Sequence, residues 1–240
     1  MIPIGDEPCD RQKAPVVTTA LIALNILIFF YELTLSPGEL AAFFAEWAAI
    51  PAKISAGEGL LGLITSQFLH GGVAHIAGNM LFLWVFGDNI EDTMGHFRYL
   101  IFYLLTGIVA ALAQVAVNPD SMTPLVGASG AISGILGAYI VLFPLGKIQT
   151  AVLIGFIPII FLVPAWFQIG VWILFQFVNG LFSLGIQTQE VGGGVAFFAH
   201  IGGFLAGAIA IWFFRDPDAC ERQRRVRASH RAFERLPRRT

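Results

Sequence analysis

Residues 147–214 read KIQTAVLIGFIPIIFLVPAWFQIGVWILFQFVNGLFSLGIQTQEVGGGVAFFAHIGGFLAGAIAIWFF, and Lys147 and Glu190 are the only Asp, Glu, Lys or Arg among them. Charge-free runs of this length belong in a bilayer. The whole chain agrees: of 240 residues 56% are hydrophobic and 12% charged, with a mean hydropathy of +0.74. A soluble globular domain carries roughly 25% charged residues. Six spans of about 20 residues would use half the chain, which leaves loops and short tails. The expected organisation is an N-terminal segment at 1–15, an all-α polytopic bundle of six transmembrane helices at 16–214, and a tail at 215–240.

Working outward, the expected spans are 16–35, 70–87, 98–117, 127–143, 165–183 and 196–214. Pro119, Pro124 and Pro144 punctuate them. The loop at 36–59 is rich in alanine and aromatics and reads as short helices lying at the interface. Residues 148–163 are apolar enough for another span but are cut by Pro158 and followed by Pro164; parity makes them an interfacial or re-entrant piece. A seventh span would send the tail across the membrane, and that tail holds nine of the fourteen Lys+Arg residues. The positive-inside rule keeps it cytoplasmic, together with Arg11, Lys13, Arg98 and Lys147. Both termini are then cytoplasmic and only Lys53 lies outside. Topology and attraction to anionic lipid account for the tail, so no nucleic-acid partner is expected. The first apolar stretch is too long for a signal-peptide core and stays as span one. Cys9 and Cys220 lie in the polar ends and imply neither a disulfide framework nor a metal site.

Polar side chains inside spans are costly and mark function. Four stand out: His75, Asn79, Ser129 and His200. On a helix at 100° per residue, His75 and Asn79 share a face, whereas His70 and His75 are about 140° apart. A two-histidine metal site on one turn is therefore disfavoured, and His-Glu-x-x-His is absent. Ser129 lies in Gly127-Ala-Ser-Gly130, which is not a Gly-x-Ser-x-Gly nucleophile elbow because Ala131 replaces the last glycine. Taken singly, the serine reads as a backbone-bonded packing residue or a nucleophile, and His200 as a structural residue or a proton relay. Depth joins them, since all four lie one to three turns below the outer end of their helices. Gly127, Gly130 and Gly134 flank the serine, and Gly203 and Gly207 share the face of His200. Small-residue stripes of this kind let two helices close to hydrogen-bond reach.

Gly-Ala-Ser-Gly in the fourth span, His-x-x-x-Asn in the second and Ala-His-x-x-Gly-x-x-x-Gly in the sixth resemble the rhomboid intramembrane serine proteases. The resemblance covers about residues 16–214. It implies Ser129 as nucleophile, His200 as general base, and Asn79 with His75 as donors to the oxyanion. It implies no cofactor and no metal, and as substrates single-span membrane proteins cut within or beside a transmembrane helix in the lipid bilayer. No Asp or Glu falls within expected spans two to six, so the site reads as a dyad. Some relatives carry an aromatic residue one turn after the serine to pack on the imidazole; here that position is Ser133. A cavity open to the outer side would admit water, with Gly192-Gly-Gly194 as its cap; Trp166, Trp172, Phe175 and Phe177 of span five read either as the lining of a lateral entry or as an ordinary lipid-facing aromatic surface. The location implied is a bacterial plasma membrane. The chain specifies no oligomeric state. The alternatives are a catalytically silent rhomboid-like binder of membrane clients and a small-solute transporter; the latter class shows inverted repeats and paired broken helices, which this chain lacks.

Overall fold

The computed structural model describes residues 2–7, 12–154, 157–185 and 196–234. Cys9, Arg11, the glycine run 192–194 and the last six residues lie outside them. The order is β1 (Ile2–Asp6), α1 (Val16–Glu32), three short helices α2 (Pro37–Trp47), α3 (Pro51–Ser55) and α4 (Gly62–Thr65), then α5 (Val73–Met94), α6 (His96–Val117), α7 (Ser129–Leu142), β2 (Lys147–Ile154), β3 (Ile157–Pro164), α8 (Ala165–Gly185), α9 (Phe197–Phe214) and α10 (Pro217–Glu234). The fold is a mostly helical membrane bundle. By length and composition α6, α8 and α9 are each able to cross a membrane, and α5 joins them when counted with Gly62–Phe68, from which it is bent by 94°. Two further apolar helices, α1 and α7, are shorter, at 17 and 14 residues. These six helices correspond to the six expected spans.

Two elements differ from expectation. The described residues of segment 148–163 lie in two antiparallel strands, β2 and β3, and β1 joins them in a sheet of order β1-β2-β3. The prolines explain both the absence of helix and the strand order. Pro3 lies in β1, Pro158 and Pro164 lie in β3, and central β2 has none; a residue without an N–H is tolerated on an edge strand and not between two partners. The Ile, Val and Thr of β2 supply β-branched side chains that suit the pleat. Thr150 Oγ1 in β2 lies 3.3 Å from Gln168 Oε1, which ties the sheet to α8.

The second difference is the length of α5. Its apolar part ends near Gly87, yet the helix runs on through Asp88, Asn89, Glu91 and Asp92 to Gly95, whose φ of 77° terminates it. Acidic residues therefore do lie in that helix, in its last two turns, although not near the four residues singled out above. Glu91 and Asp92 are buried because they have partners. The Glu91 carboxylate accepts the N–H groups of Val17 and Thr18 at 2.8 Å each, capping α1, and Asp92 accepts those of Gln12 and Lys13 at 3.1 and 3.0 Å. Negative charge at a helix N-terminus satisfies donors that have no partner within the helix.

Helix α10 docks on the same end. Arg227 is buried, donating to Asp6 at 2.9 Å, to Asn89 at 2.6 Å and to the Tyr139 hydroxyl at 3.0 Å. Gln223 donates to Asp92 at 2.7 Å. The Arg-rich tail is thus helical up to Glu234, and Cys220, on the first turn of α10, is buried against the bundle. Above this polar layer sits the apolar core, in which Leu83, Phe86, Tyr99, Phe102, Tyr103, Ile135 and Tyr139 are inaccessible to solvent.

Candidate active site

Ser129 is the first residue of α7. At 1.5 Å per residue, 14 residues rise about 21 Å, well short of the roughly 30 Å hydrocarbon layer, so the segment before the serine enters the bundle as irregular chain. It is pinned there by backbone bonds. Leu125 N–H donates to Ala49 O at 2.8 Å, and Gly127 N–H to Ser66 O at 2.9 Å. Gly127 has φ +123°, and a Cβ there would sit 2.7 Å from the His75 ring and 3.4 Å from Asn79 Nδ2. Only glycine permits both that backbone and that approach. His75 and Asn79 therefore face one point, two residues from the serine.

His200 lies one turn into α9, and glycine contacts bring it to Ser129. A Cβ on Gly207 would collide with the Gly134 backbone, one on Gly203 with the Gly130 carbonyl, and one on Gly137 with the Phe204 carbonyl. The two helices thus meet backbone to backbone over two turns. Above those contacts Ser129 Oγ is 2.8 Å from His200 Nε2.

The other imidazole nitrogen, Nδ1, is 2.8 Å from Gln176 Oε1 on α8, and the Trp172 ring lies over the imidazole at 5.8 Å between centroids with a 38° tilt. Ser133 does not reach the histidine, because its hydroxyl donates to the Ser129 carbonyl at 2.6 Å. On α5, Asn79 Nδ2 is 2.9 Å from Nε2 of His70, a residue of the turn before the helix. That turn is held by Glu32, whose carboxylate accepts His70 N–H at 3.1 Å. His70 and His75 meet edge to face at 5.2 Å.

Ser129, His200, His75, Asn79 and Trp172 border a cavity of about 640 Å³ that also touches Phe82, Ile132 and the segment Thr123, Pro124, Leu125 and Val126. Among the described residues no carboxylate lines it. No group of three or more His, Cys, Asp or Glu stands in metal-binding array among the described residues. The structure therefore brings together all four residues chosen from the sequence. It adds His70, Gln176 and Glu32, which were not chosen, and gives Trp172 a different place: it turns inward, while Trp166, Phe175 and Phe177 are exposed. Gln176 carried a readable signal, being a strongly polar side chain inside an apolar span.

The arrangement of a serine, an imidazole and clustered donors at the head of a short helix coincides with a known domain. The family model of the Rhomboid domain matches residues 57–217. The chain belongs to the rhomboid family. It is 38% identical over 129 residues to "Rhomboid protease GluP" of Bacillus subtilis, covering 53% of this chain and 25% of that protein. It is 30% identical over 181 residues to "Rhomboid protein 1, mitochondrial" of Saccharomyces cerevisiae, covering 72% and 47%. With "Presenilin-associated rhomboid-like protein, mitochondrial" of Homo sapiens it shares 29% over 204 residues, covering 81% and 46%. The chain spans between a quarter and about half of these relatives' lengths. As a rhomboid family member it is an integral membrane protein, and the family includes serine intramembrane proteases.

The glycine contact is open to a direct test. Gly207→Ala places a methyl on the Gly134 backbone, and overpacking of this kind costs about 1–3 kcal/mol. Its thermal unfolding transition in detergent is expected to fall measurably below wild type. Gly170→Ala on α8, where an added Cβ meets nothing within 4 Å, should leave the transition unchanged. Equal transitions for wild type and Gly207→Ala would show that the helices do not need this approach.

Proposed function

We propose that this protein is an intramembrane serine endopeptidase that cleaves single-span membrane proteins with a Ser129–His200 dyad. The observation that carries the reading is the 2.8 Å pairing of Ser129 Oγ with His200 Nε2 inside a cavity that Asn79 and His75 also face. Ser129 O–H donates to the Nε2 lone pair, and as Oγ attacks the scissile carbonyl carbon its proton passes to Nε2. The carbonyl oxygen takes up the negative charge. The N–H groups of the first turn of α7, which have no helical acceptors, stand beside it, and Asn79 Nδ2 retains a second proton beyond the one directed at His70. The imidazolium then protonates the leaving amine as the C–N bond breaks. Water, losing its proton to Nε2, opens the acyl-enzyme, and that proton returns to Ser129 Oγ.

The substrate helix enters between α5 and α8 in this reading, across the seam where Phe82 and Trp172 meet at 6.5 Å. The bundle sits in a bacterial plasma membrane with both termini cytoplasmic. Support comes from the charge distribution: Lys13, Lys147, Arg222, Arg224 and Arg227 gather at the end of the bundle away from Ser129, and Lys53 lies near the other.

Three outcomes are expected. Purified protein in lipid cleaves one or more of a panel of single-span substrates, and Ser129→Ala abolishes both cleavage and fluorophosphonate labelling. Equal labelling of the mutant would remove Ser129 as nucleophile, and solute flux in liposomes without proteolysis would favour a transporter. For topology, a cysteine placed at exposed Glu58 reacts with a membrane-impermeant thiol reagent in intact cells while one at exposed Ser229 does not; the opposite pattern inverts the orientation. Finally, Asn79→Ala lowers kcat by about 10²–10³, the usual cost of one oxyanion donor, with KM nearly unchanged. If Asn79 merely bonds its neighbour, a loss of about 0.6 kcal/mol in stability and normal turnover is expected instead.

A further inference from the structure

We propose that Gln176 of α8 is the positioning residue of His200: its amide oxygen holds the imidazole in the one tautomer that can take the Ser129 proton. The proposal rests on the serine-protease reading and assigns what orients its base. A neutral imidazole has one N–H and one bare nitrogen, and the hydrogen bond made at one nitrogen decides which is which. Gln176 Oε1 is an acceptor only, and it lies 2.8 Å from Nδ1. Nδ1 therefore carries the proton and donates it to the amide oxygen. Nε2 is left bare, facing the Ser129 hydroxyl at 2.8 Å.

Among the described residues the alternatives for this task are otherwise engaged. No carboxylate among the described residues lines the cavity. Ser133, one turn after the nucleophile, spends its hydroxyl on the Ser129 carbonyl. Trp172 covers a face of the ring, which restrains its tilt but cannot select a tautomer. His75, also on the cavity wall, stands with Gly127 and His70. Gln176 and Trp172 are four residues apart on α8, hence on one helical face, so both restraints on the base arrive from a single helix. When Nε2 accepts the serine proton, the Nδ1–H bond to the amide persists and no second proton moves. An amide oxygen stabilises the resulting cation less than a carboxylate would, but it costs nothing to keep uncharged in a membrane. The reversed amide, donating into Nδ1, would place the histidine proton on Nε2 against Ser129 and block transfer.

The test compares Gln176→Leu, which removes the acceptor, with Gln176→Glu, which keeps an acceptor in place. A wrong tautomer beside a carboxylate-held histidine costs about 10⁴ in kcat; for a neutral acceptor a loss of about 10- to 10²-fold is expected in Gln176→Leu. KM should stay within about two-fold, since the interaction serves only the chemical step, and Gln176→Glu should recover most of the loss. Gln176→Met takes the place of the leucine variant if that one lacks a normal thermal transition. A second readout does not depend on turnover. In 15N-histidine-labelled protein, the His200 signals, assigned with His200→Ala, should report protonated Nδ1 and bare Nε2 in wild type and a mixture of tautomers in Gln176→Leu. Unchanged kcat and an unchanged tautomer in a folded Gln176→Leu would overturn the positioning role. A raised KM at normal kcat would overturn it too, by making Gln176 a substrate contact. Absence of any Ser129-dependent cleavage by wild type would instead sink the protease reading, and the 15N spectra would still decide what Gln176 does to His200.

Discussion

The contact on which this structure depends is the one between the backbones of α7 and α9, where Gly134 faces Gly207 and Gly130 faces Gly203 with no side chain between them. Lipid tails are as apolar as leucine, so helices in a bilayer gain little by hiding apolar surface from their surroundings; close packing has to supply the attraction. Glycine at these positions lets the helices approach until main-chain atoms touch. That approach also sets the chemistry. A serine at the head of α7 and a histidine one turn into α9 meet at 2.8 Å only if the helices below them are this close. Packing and site geometry are here one constraint, and α6 completes it by fitting Ala110 against Gly130 and Thr106 against Gly134.

The opposite end is built on charge. Burying Arg227 alone would cost several kcal/mol, but it meets Asp6, Glu7, Asn89 and the Tyr139 hydroxyl, which together satisfy much of its fork. Tyr139 stands on the helix that begins with Ser129, so the tail helix and β1 grip the far end of the helix that carries the candidate nucleophile. Glu91 and Asp92 then cap α1 and hold α10 from the end of α5. Residues from both termini and from α5 and α7 are thereby bound into one polar layer.

Much of this was legible in the sequence, and the exceptions have physical causes. The six apolar helices follow the hydropathy pattern to within a few residues at most ends, because length and lack of charge are strong signals for membrane spans. The grouping of His75, Asn79, Ser129 and His200 followed from depth and helical phase. The pair β2 and β3 was not legible as strands: in a run where nearly every residue is apolar, periods of 2 and 3.6 look alike. The extension of α5 past Gly87 was hidden because Asn89, Glu91 and Asp92 resemble a polar loop until their partners on α1 and α10 are known. His70 was set aside on helical phase, correctly for a helix, but it sits in the turn before one and reaches Asn79 from outside the helical lattice. Gln176 is visible as a polar residue in span five, but its partner lies 24 positions away on another helix.

Water in a membrane requires that some helices be incomplete. A backbone polar group left unpaired in hydrocarbon costs several kcal/mol, so irregular chain at depth is tolerated only where protein or a wet cavity surrounds it. Here α7 is one such incomplete element and the 94° bend before α5 is the other. Both leave irregular chain, 119–128 and 69–72, beside the same cavity. Each also leaves a helix N-terminus there, with unpaired N–H groups and a partial positive charge. In the protease reading, the two breaks would make the opening that admits water and, by the same geometry, aim donors at the place where an oxyanion forms. Full-length helices in their place would provide neither.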